Sequence, residues 1–310
     1  IKGAGLMLSI IIVNYQSSAD LDICLSSIIK HEAFYRSFEF IVIDNNSSDP
    51  GLPGLLIKYP FIRLINTAKN GGFSYGNNIG INVAKGDIIF LLNPDTWVED
   101  QSITKLICRL ESDDKLDIIG PQLLDPDKSN QSYYLPKTYL TLWRLFCEQF
   151  YLHRIFKSYK IFNSYFKTYM DYSHECYVEQ VSGAALMMKK RVIEKIGLLN
   201  EKYFMYFEES DFCLHAIKNN MTLLYYPESQ IIHKGGLSNT TKSLFSTVCF
   251  LNSFKTYFRK NFGLPSLLVA IVILSIGTFI RFSILRITGN KKYIYYKNLL
   301  KSILKINTQV

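Results

Sequence analysis

The sequence predicts an α/β protein in which a mainly parallel sheet is flanked by helices, with a basic, apolar and helical appendage at the C-terminus. Short apolar runs alternate with amphipathic helical stripes over residues 8–123, a pattern typical of strands joined by crossover helices. Polar residues directly follow several of these runs, at the strand ends where such sheets bind ligands. The charged residues of 229–310 are all basic.

The elements follow from these patterns in chain order. Leu8–Val13 is a continuous, largely β-branched apolar run, which predicts a strand buried on both faces. Ala19–Lys30 has apolar residues at helical spacing and acidic residues in its first turn, which predicts a helix. The same patterns predict strands at Phe38–Ile43, Phe61–Ile65, Asp87–Leu92 and Ile118–Leu123, and helices at Ser74–Lys85 and Ser102–Leu110.

Residues 133–172 interrupt the alternation with 14 aromatic residues and interleaved basic ones. We predict a helical insert that covers one side of the site; its aromatic residues either fill a core or face lipid or acceptor. The alternation then resumes. We predict strands at Ala184–Met188 and Thr222–Tyr226, and helices at Lys190–Ile196 and Glu208–Asn219.

The charge of the chain is unevenly distributed. Residues 229–310 contain 12 Lys or Arg and no acidic residue, whereas residues 1–228 contain 23 basic and 26 acidic ones. This asymmetry indicates a polyanionic partner. Because residues 261–280 are uncharged and largely apolar, the pattern favours an anionic membrane surface over nucleic acid. The sequence leaves open whether this stretch spans the bilayer, lies in its interface or belongs to a soluble subdomain.

The length of 310 residues allows one large domain and an appendage. We expect residues 7–240 to form the α/β domain, with 133–172 as its insert, and residues 241–310 to form the membrane-associating segment. Residues 1–6 precede Met7 and are interpreted as a remnant of expression. The six cysteines form no CxxC pair, which argues against a disulfide framework or zinc site and fits a reducing cytosol.

Polar residues at three strand ends are candidates for ligand binding. Asn14 and Asp44 follow the first two strands, and Asn93 and Asp95 follow the fourth. The Asp44 carboxylate can accept the imide N–H of uracil or thymine, although an Asx-turn is the structural alternative. The run Asn70-Gly71-Gly72-Phe73 opens a helix, where glycine lets the backbone approach phosphate or sugar groups.

Asp95 and three further residues form a pattern suited to metal-assisted group transfer. Asp95 is a strand-end carboxylate, and Mg²⁺ or Mn²⁺ binds through one or two carboxylates together with diphosphate oxygens. Glu208 and Glu209 open a helix after an aromatic run that we expect to surround them, which would bring a carboxyl pKa toward a base's working range. His233 ends a strand-like segment. Taken singly, Asp95 is more often a turn residue and His233 more often a structural histidine than a metal ligand. Acidic residues such as Glu208 and Glu209 are common in a first helical turn.

The ordered set of motifs resembles glycosyltransferase family 2, and particularly its bacterial rhamnosyltransferase-like branch. The resemblance covers about residues 7–240. It rests on Leu8-Ser9-Ile10-Ile11-Ile12-Val13-Asn14-Tyr15, the Asp44–Asp49 turn, Asn70–Phe73, Leu92-Asn93-Pro94-Asp95, Ser182-Gly183-Ala184, Phe204-Met205-Tyr206-Phe207-Glu208-Glu209 and Ile232-His233.

The resemblance implies a GT-A fold, a nucleotide-sugar donor, Mn²⁺ or Mg²⁺ as cofactor, and inversion at the anomeric carbon. It implies that Asp95 and His233 bind the metal and that Glu209 is the catalytic base, with Glu208 and Asp211 as neighbouring catalytic carboxylates. The family usually has Asp at the position of Glu209. The implied donor-binding residues are Asn14, Asp44, Asn70, Gly72, Phe73, Asn78, Asn93, Asp95, Gly183 and Ala184.

We therefore expect an inverting hexosyltransferase, with dTDP-L-rhamnose as the donor that the resemblance favours. The basic, apolar tail suggests a polyprenyl-diphosphate-linked glycan acceptor at the cytoplasmic face of a bacterial inner membrane, in cell-surface polysaccharide synthesis. The alternatives are a UDP-sugar-dependent transferase of the same family, a non-catalytic nucleotide-sugar-binding module and a membrane-surface scaffold. Transfer or donor-hydrolysis activity separates an enzyme from the last two.

Overall fold

The computed structural model describes residues 6–32, 37–131, 137–235 and 244–306, so most of the expected remnant at residues 1–6 lies outside the described residues. The chain divides into two compact units, each formed by several segments. The first comprises Ile1–Lys137, Asp171–Phe204 and Glu208–Gly235, and the second comprises Thr138–Met170, Met205–Phe207 and Gly236–Val310.

A nine-stranded sheet forms the centre of the first unit, in the order β3-β2-β1-β4-β8-β6-β9-β5, with β7 also paired to β9. The strands are β1 (Leu8–Asn14), β2 (Phe38–Asp44), β3 (Ile62–Asn66), β4 (Ile88–Leu92), β5 (Thr96–Val98), β6 (Leu116–Leu124), β7 (Cys176–Tyr177), β8 (Ala185–Lys189) and β9 (Thr222–His233).

Helices occur in both units. They are α1 (Ser18–His31), α2 (Leu52–Lys58), α3 (Gly72–Val83), α4 (Ser102–Glu111), α5 (Leu142–Gln149), α6 (Leu152–Ile155), α7 (Arg191–Ile196), α8 (Glu208–Lys218), α9 (Leu244–Ile287) and α10 (Tyr293–Ile306). The predicted strands and helices of residues 8–123 are all present, within a few residues of their predicted bounds.

Side chains of β1 and β4 alternate between two apolar cores, one on each face of the sheet. Ile10, Ile12 and Phe90 belong to the core that includes buried residues of α1, α2 and α4. Ile11 and Leu91 belong to the core that includes residues of α3, α7 and α8. The strands are therefore buried on both faces, as their continuous apolar runs predict.

The sheet is flanked by helices as predicted, but it is mixed rather than mainly parallel. Strands β3, β2, β1 and β4 are parallel to one another, and β6 and β9 are parallel to each other. Strand β8 lies between β4 and β6 and is antiparallel to both. An apolar run indicates burial but not direction, and β8 is entered after the long segment 125–184 rather than through a single crossover helix, so nothing local imposes a parallel direction.

The predicted strand Thr222–Tyr226 is the first part of β9, which continues to His233. The short strand β5 pairs antiparallel with the end of β9, so that Thr96 lies opposite His233. Neither β5 nor β7 was predicted, because strands of two or three residues carry too little pattern. The pairing brings together two polar segments that are far apart in the sequence.

The second unit contains the aromatic segment and the C-terminal helices. Of the predicted helical insert, α5 and α6 are helical and residues 156–170 form turns, while residues 132–136 lie outside the described part. Arg281 of α9 is buried and binds residues of the aromatic segment: its guanidinium donates to Tyr151 Oη at 3.0 Å and to the Glu148 carbonyl at 3.0 Å. These bonds and the packing of α5 against α9 hold the aromatic segment on α9.

Helix α9 is interrupted at Gly263, where φ is +82°, and Pro265 follows. Beyond this point one side of the helix is packed within the unit, including Leu267 and Leu274. The opposite side is apolar yet exposed. Its exposed residues are Leu264, Leu268, Val269, Val272, Ile276, Phe279, Ile280, Ile284 and Ile287. By length and composition alone, Phe245–Ile287 could cross a membrane.

Candidate active site

The ends of β1 and β2 hold the first two predicted donor residues side by side. Asn14 and Asp44 are register partners and are both buried. Asn14 Nδ2 donates to Asp44 Oδ1 at 3.0 Å, and the Ser47 backbone N–H donates to Asp44 Oδ2 at 3.2 Å. The Asp44 carboxylate is therefore fixed in orientation by the turn that follows it, as the Asx-turn alternative requires.

Asn45 joins this turn to the glycine turn, a role that the sequence did not reveal. Its Nδ2 donates to Asn70 Oδ1 at 2.9 Å and to the Gly72 carbonyl at 3.0 Å, and its Oδ1 accepts from the Gly71 N–H at 3.2 Å. Asn45 is only 2% exposed. A polar residue directly after a buried strand was the available signal, but its partners lie 25 residues away or more.

Gly72 starts α3 in a backbone conformation that suits only glycine. Its φ is +86°, and a Cβ atom would lie 2.1 Å from the Phe204 carbonyl oxygen. That same carbonyl accepts the Phe73 N–H at 3.0 Å. Glycine is therefore needed here because the backbone of Phe204 approaches the start of the helix.

Asn78 is placed differently from the other predicted donor residues. Its Nδ2 donates to the Leu199 carbonyl at 2.8 Å and to Glu201 Oε1 at 2.9 Å, and its Oδ1 accepts from the Leu199 N–H at 3.0 Å. The amide thus clamps α3 to the loop before α8. We do not include Asn78 in the donor site proposed below.

The turn formed by residues 182–184 contacts three other parts of the site. The Ala184 carbonyl accepts the Asn93 N–H at 2.9 Å, just beyond β4. A Cβ atom at Gly183 would lie 3.4 Å from Glu209 Cβ and 3.6 Å from Phe73 Cζ. The turn therefore brings together the end of β4, the start of α3 and the start of α8.

Asp95 and His233 meet at the edge formed by β5 and β9. His233 Nε2 lies 3.4 Å from Asp95 Oδ1, and the Lys234 N–H donates to the Asp95 carbonyl at 2.9 Å. His233 is 3% exposed, whereas the Asp95 side chain is 23% exposed and accessible to a ligand.

The pair has the spacing and chemistry of two ligands to one cation. In an octahedral ion with bonds of about 2.1 Å, adjacent ligand atoms lie about 3 Å apart. A carboxylate and an imidazole suit Mn²⁺, and a carboxylate suits Mg²⁺. Among the described residues, no group of three or more His, Cys, Asp and Glu side chains forms a metal cluster. Further ligands would have to come from substrate or water.

Glu208 and Glu209 occupy the first turn of α8. Burial raises the pKa of Glu208 well above its usual range, and the neighbouring Glu209 carboxylate raises it further. Burial also raises the pKa of Glu209, against a smaller lowering effect of the Lys137 charge. Glu208 Oε2 is buried without a hydrogen-bond partner among the described residues. A buried carboxyl in such surroundings favours its protonated form.

Asp211, the third predicted catalytic carboxylate, is also buried in α8, at 3% exposure.

The aromatic run before α8 is divided between the units, since Met205–Phe207 belongs to the second unit. Tyr206 and Phe207 there have left-handed backbone, with φ of 73° and 68°. The aromatic wall around the carboxylates stays a prediction.

Comparisons with known proteins show the family of this chain. A model of the family described as "Glycosyl transferase family 2" matches residues 9–180, which is more than half of the chain. The low-salt glycan biosynthesis hexosyltransferase Agl10 of Haloferax volcanii is 28% identical over 264 residues, which cover 82% of this chain and 74% of the relative. The N-acetylglucosaminyl-diphospho-decaprenol L-rhamnosyltransferase of Mycobacterium tuberculosis is 24% identical over 243 residues, covering 73% and 76%.

Solved structures show the same fold. The structure of GalNAc-T7 with UDP, GalNAc and Mn²⁺ superposes with a TM-score of 0.59 at 14% sequence identity. The match covers 82% of this chain and 48% of that protein, so this chain spans about half the length of GalNAc-T7. At this identity, the likeness concerns the fold.

Proposed function

Because this chain belongs to glycosyl transferase family 2 and is a glycosyltransferase with a GT-A fold, we propose that it transfers a hexose with inversion from a nucleotide-sugar donor to an acceptor hydroxyl, with Mn²⁺ or Mg²⁺ as cofactor. One observation carries this proposal. The Asp95–His233 pair lies at one edge of the sheet, and the turn of residues 182–184 connects the end of β4 with Glu209, a half-buried carboxyl whose pKa is raised.

In the proposed reaction, Glu209 accepts the proton of the acceptor hydroxyl while the hydroxyl oxygen attacks the anomeric carbon. The bond from that carbon to the diphosphate breaks on the opposite face, which inverts the configuration. Asp95 and His233 would hold the cation, which when bound neutralises charge on the departing nucleoside diphosphate. The raised pKa of Glu209 suits a general base that must take up a proton near neutral pH.

Apart from Asn78, whose amide is held by Leu199 and Glu201, the remaining predicted residues would take part in donor binding. Asp44, held by Asn14 and Ser47, would face the nucleobase. The glycines of the turn that Asn45 holds would let the backbone at the start of α3 approach the donor. Glu209 and Phe73 both lie beside Gly183, and Phe73 and Gly183 would border the sugar.

We further propose dTDP-L-rhamnose as donor and a polyprenyl-diphosphate-linked glycan as acceptor. The similarity to the decaprenol-linked L-rhamnosyltransferase supports both choices. The exposed apolar side of α9 and the all-basic charge of residues 229–310 support association with an anionic membrane at its cytoplasmic face.

A transfer assay tests the function. The full chain is incubated with dTDP-L-rhamnose or UDP-sugars and polyprenyl-diphosphate-linked N-acetylglucosamine, with Mn²⁺ or with a chelator. We expect metal-dependent transfer from dTDP-L-rhamnose, detected by mass spectrometry, and an inverted linkage by NMR. Transfer from a UDP-sugar but not from dTDP-L-rhamnose would show that the donor is the UDP-sugar. Nucleotide-sugar binding without transfer or hydrolysis for any donor would indicate a non-catalytic module.

A flotation assay tests the membrane proposal separately. The full chain should float with vesicles that contain anionic lipid, because each basic residue near such a surface contributes about 1 kcal/mol. Neutral vesicles are the control. Complete release by high salt would show that the exposed side of α9 is not inserted. Absence of binding even at low salt would remove the main support for a membrane-linked acceptor.

A further inference from the structure

Gln131 contacts His233 from the side opposite to Asp95 and is 4% exposed. Its Oε1 lies 3.2 Å from His233 Nδ1. Its Nε2 donates to Asp125 Oδ1 at 2.7 Å and also to the His233 carbonyl. One glutamine amide therefore contacts both the ring and the backbone of the histidine.

These contacts determine which way the amide points. The Asp125 carboxylate and the His233 carbonyl can only accept hydrogen bonds, so the NH₂ group of Gln131 must face them. The amide oxygen then faces His233 Nδ1, and this oxygen can only accept. Nδ1 must consequently carry a hydrogen.

In a neutral imidazole with a hydrogen on Nδ1, the lone pair is on Nε2. Nε2 is the nitrogen that lies 3.4 Å from Asp95 Oδ1. The contacts of Gln131 therefore select the tautomer that presents a metal-binding lone pair beside the carboxylate. With the opposite tautomer, an N–H group would point to the place where a cation would lie.

The backbone around Gln131 is also held. The Gln131 N–H donates to the Leu123 carbonyl at 3.2 Å, and the Asp125 N–H donates to the Ser129 carbonyl at 2.8 Å. At Gly235, where φ is +72°, a Cβ atom would lie 3.3 Å from Gln131 Nε2. Any larger residue there would crowd the amide, so Gly235 leaves the space that Gln131 uses.

We propose that Gln131 is a positioning residue that fixes the ring and tautomer of His233 for cation binding. This inference rests on the proposed metal role of Asp95 and His233. Gln131 acts through the histidine and not on the substrate. Loss of such a partner of a metal-binding histidine typically lowers metal affinity about 10- to 100-fold.

The first test needs no metal and no substrate. In ¹⁵N-histidine-labelled full-length protein at a pH where the imidazole is neutral, ring nitrogen shifts report the tautomer; the His233 signals are assigned by their loss in His233→Ala. We expect hydrogen on Nδ1 in the wild type and a mixture of tautomers in Gln131→Met. A wild-type His233 with hydrogen on Nε2 would overturn the inference.

The second test measures Mn²⁺ binding by calorimetry in the presence of dTDP. We expect Gln131→Met to bind Mn²⁺ about 10- to 100-fold more weakly than the wild type. The matched control is Gln122→Met, because the Gln122 amide bonds to Asn130 and Gln230. This control should leave Mn²⁺ affinity and the His233 spectrum unchanged.

The outcomes distinguish this inference from the proposed function. Wild-type Mn²⁺ affinity and tautomer in a folded Gln131→Met protein would overturn the role of Gln131 while leaving the metal pair intact. If the wild type itself binds no Mn²⁺ with dTDP, the proposed metal site fails; the role of Gln131 in cation binding then falls with it, and the spectra show only whether it sets the tautomer.

Discussion

Two parts of the candidate site, both in the first unit, differ in how their polar side chains are held. Around Asp95 and His233, the ring nitrogens and backbone groups have nearby partners, and the histidine is fixed on both sides. Glu208 and Glu209 share a buried helix start where the pKa of each is raised and Glu208 Oε2 has no described partner. The first arrangement suits binding of a cation and anion together, and the second suits uptake of a proton.

In the proposed function, this difference separates cation and donor binding from proton uptake. Binding a diphosphate requires ligand atoms that are already oriented, because any reorientation lowers affinity. A general base requires surroundings that disfavour its charge, so that it accepts a proton near neutral pH. Five predictions test this division and the glycine turn beside it, in order of decreasing expected effect.

The largest effect is expected for Glu209→Gln. The amide keeps the size of the side chain but cannot accept a proton, so kcat should fall about 10²- to 10⁴-fold while donor KM changes little. Glu194→Gln, on the exposed surface of α7, is the matched control. Glu209→Asp should retain more activity than Glu209→Gln, because a base is still present. Near-native turnover of Glu209→Gln would assign proton uptake elsewhere.

The wild-type rate should also depend on pH in the direction that the pKa of Glu209 requires. A base works only when deprotonated, so kcat should fall as the pH drops through the raised pKa of Glu209. The same profile measured with Glu208→Gln shows whether the Glu208 carboxylate affects the pKa of Glu209.

Asp95→Ala should lower Mn²⁺ affinity about 10- to 100-fold or more. Loss of a residue that only orients a ligand already has an effect of this size, and Asp95 would be a ligand itself. Calorimetry with dTDP measures it directly. Asp100→Asn is the control, because Asp100 lies near in sequence and pairs with Lys105 on the surface. If Asp95→Ala binds Mn²⁺ as the wild type does, Asp95 is not a metal ligand and the contrast between a metal-binding part and a proton-accepting part of the site is wrong.

Gly72→Ala should destabilise the fold by about 1–3 kcal/mol, because alanine is strained at this φ and meets the Phe204 carbonyl. Gly54→Ala is the matched control: Gly54 lies in α2, no atom lies within 4 Å of the place that an added methyl group would take, and alanine favours helices. Urea unfolding measures both. Equal stability of the two variants would show that the start of α3 tolerates a side chain.

The smallest effect is expected for Glu208→Gln and concerns stability. In the unfolded chain Glu208 titrates near 4.5, and burial raises its pKa in the fold. Between these values the fold keeps a proton that the unfolded chain has released, so wild-type stability falls as the pH rises above 4.5. Glutamine has no proton to release. At neutral pH Glu208→Gln should therefore unfold a few degrees higher, since about 1 kcal/mol shifts the midpoint by about 2–4 °C.

This gain should close as the pH falls below about 4, where Glu208 is protonated in both states. Calorimetric unfolding at several pH values measures it. A constant difference at all pH values would mean that packing rather than proton uptake explains the change.

The sequence predicted the parts of the fold that depend on local pattern. The apolar runs located β1, β2 and β4, and helical spacing located α1 and α4. The direction of β8 could not be predicted, because strand direction is set by pairing with strands distant in the sequence.

The proposed site includes residues that lie in recognisable motifs, whereas residues whose roles depend on tertiary contacts could not be found from the sequence. Asp95, Glu209 and His233 were recognised by position within motifs. Asn45 and Gln131 were not, because their partners lie 25 and 102 residues away and each residue alone resembles an ordinary loop amide.

The central place of β8 has a consequence for synthesis of the chain on the ribosome. β8 is encoded after both of its neighbours, so β4 and β6 each emerge with an edge that stays unpaired until Ala185–Lys189 follows. Unpaired apolar edges are templates for association between chains. We therefore expect fragments that end before β8 to aggregate, and nascent chains to depend on chaperones until the middle of their sheet has been translated.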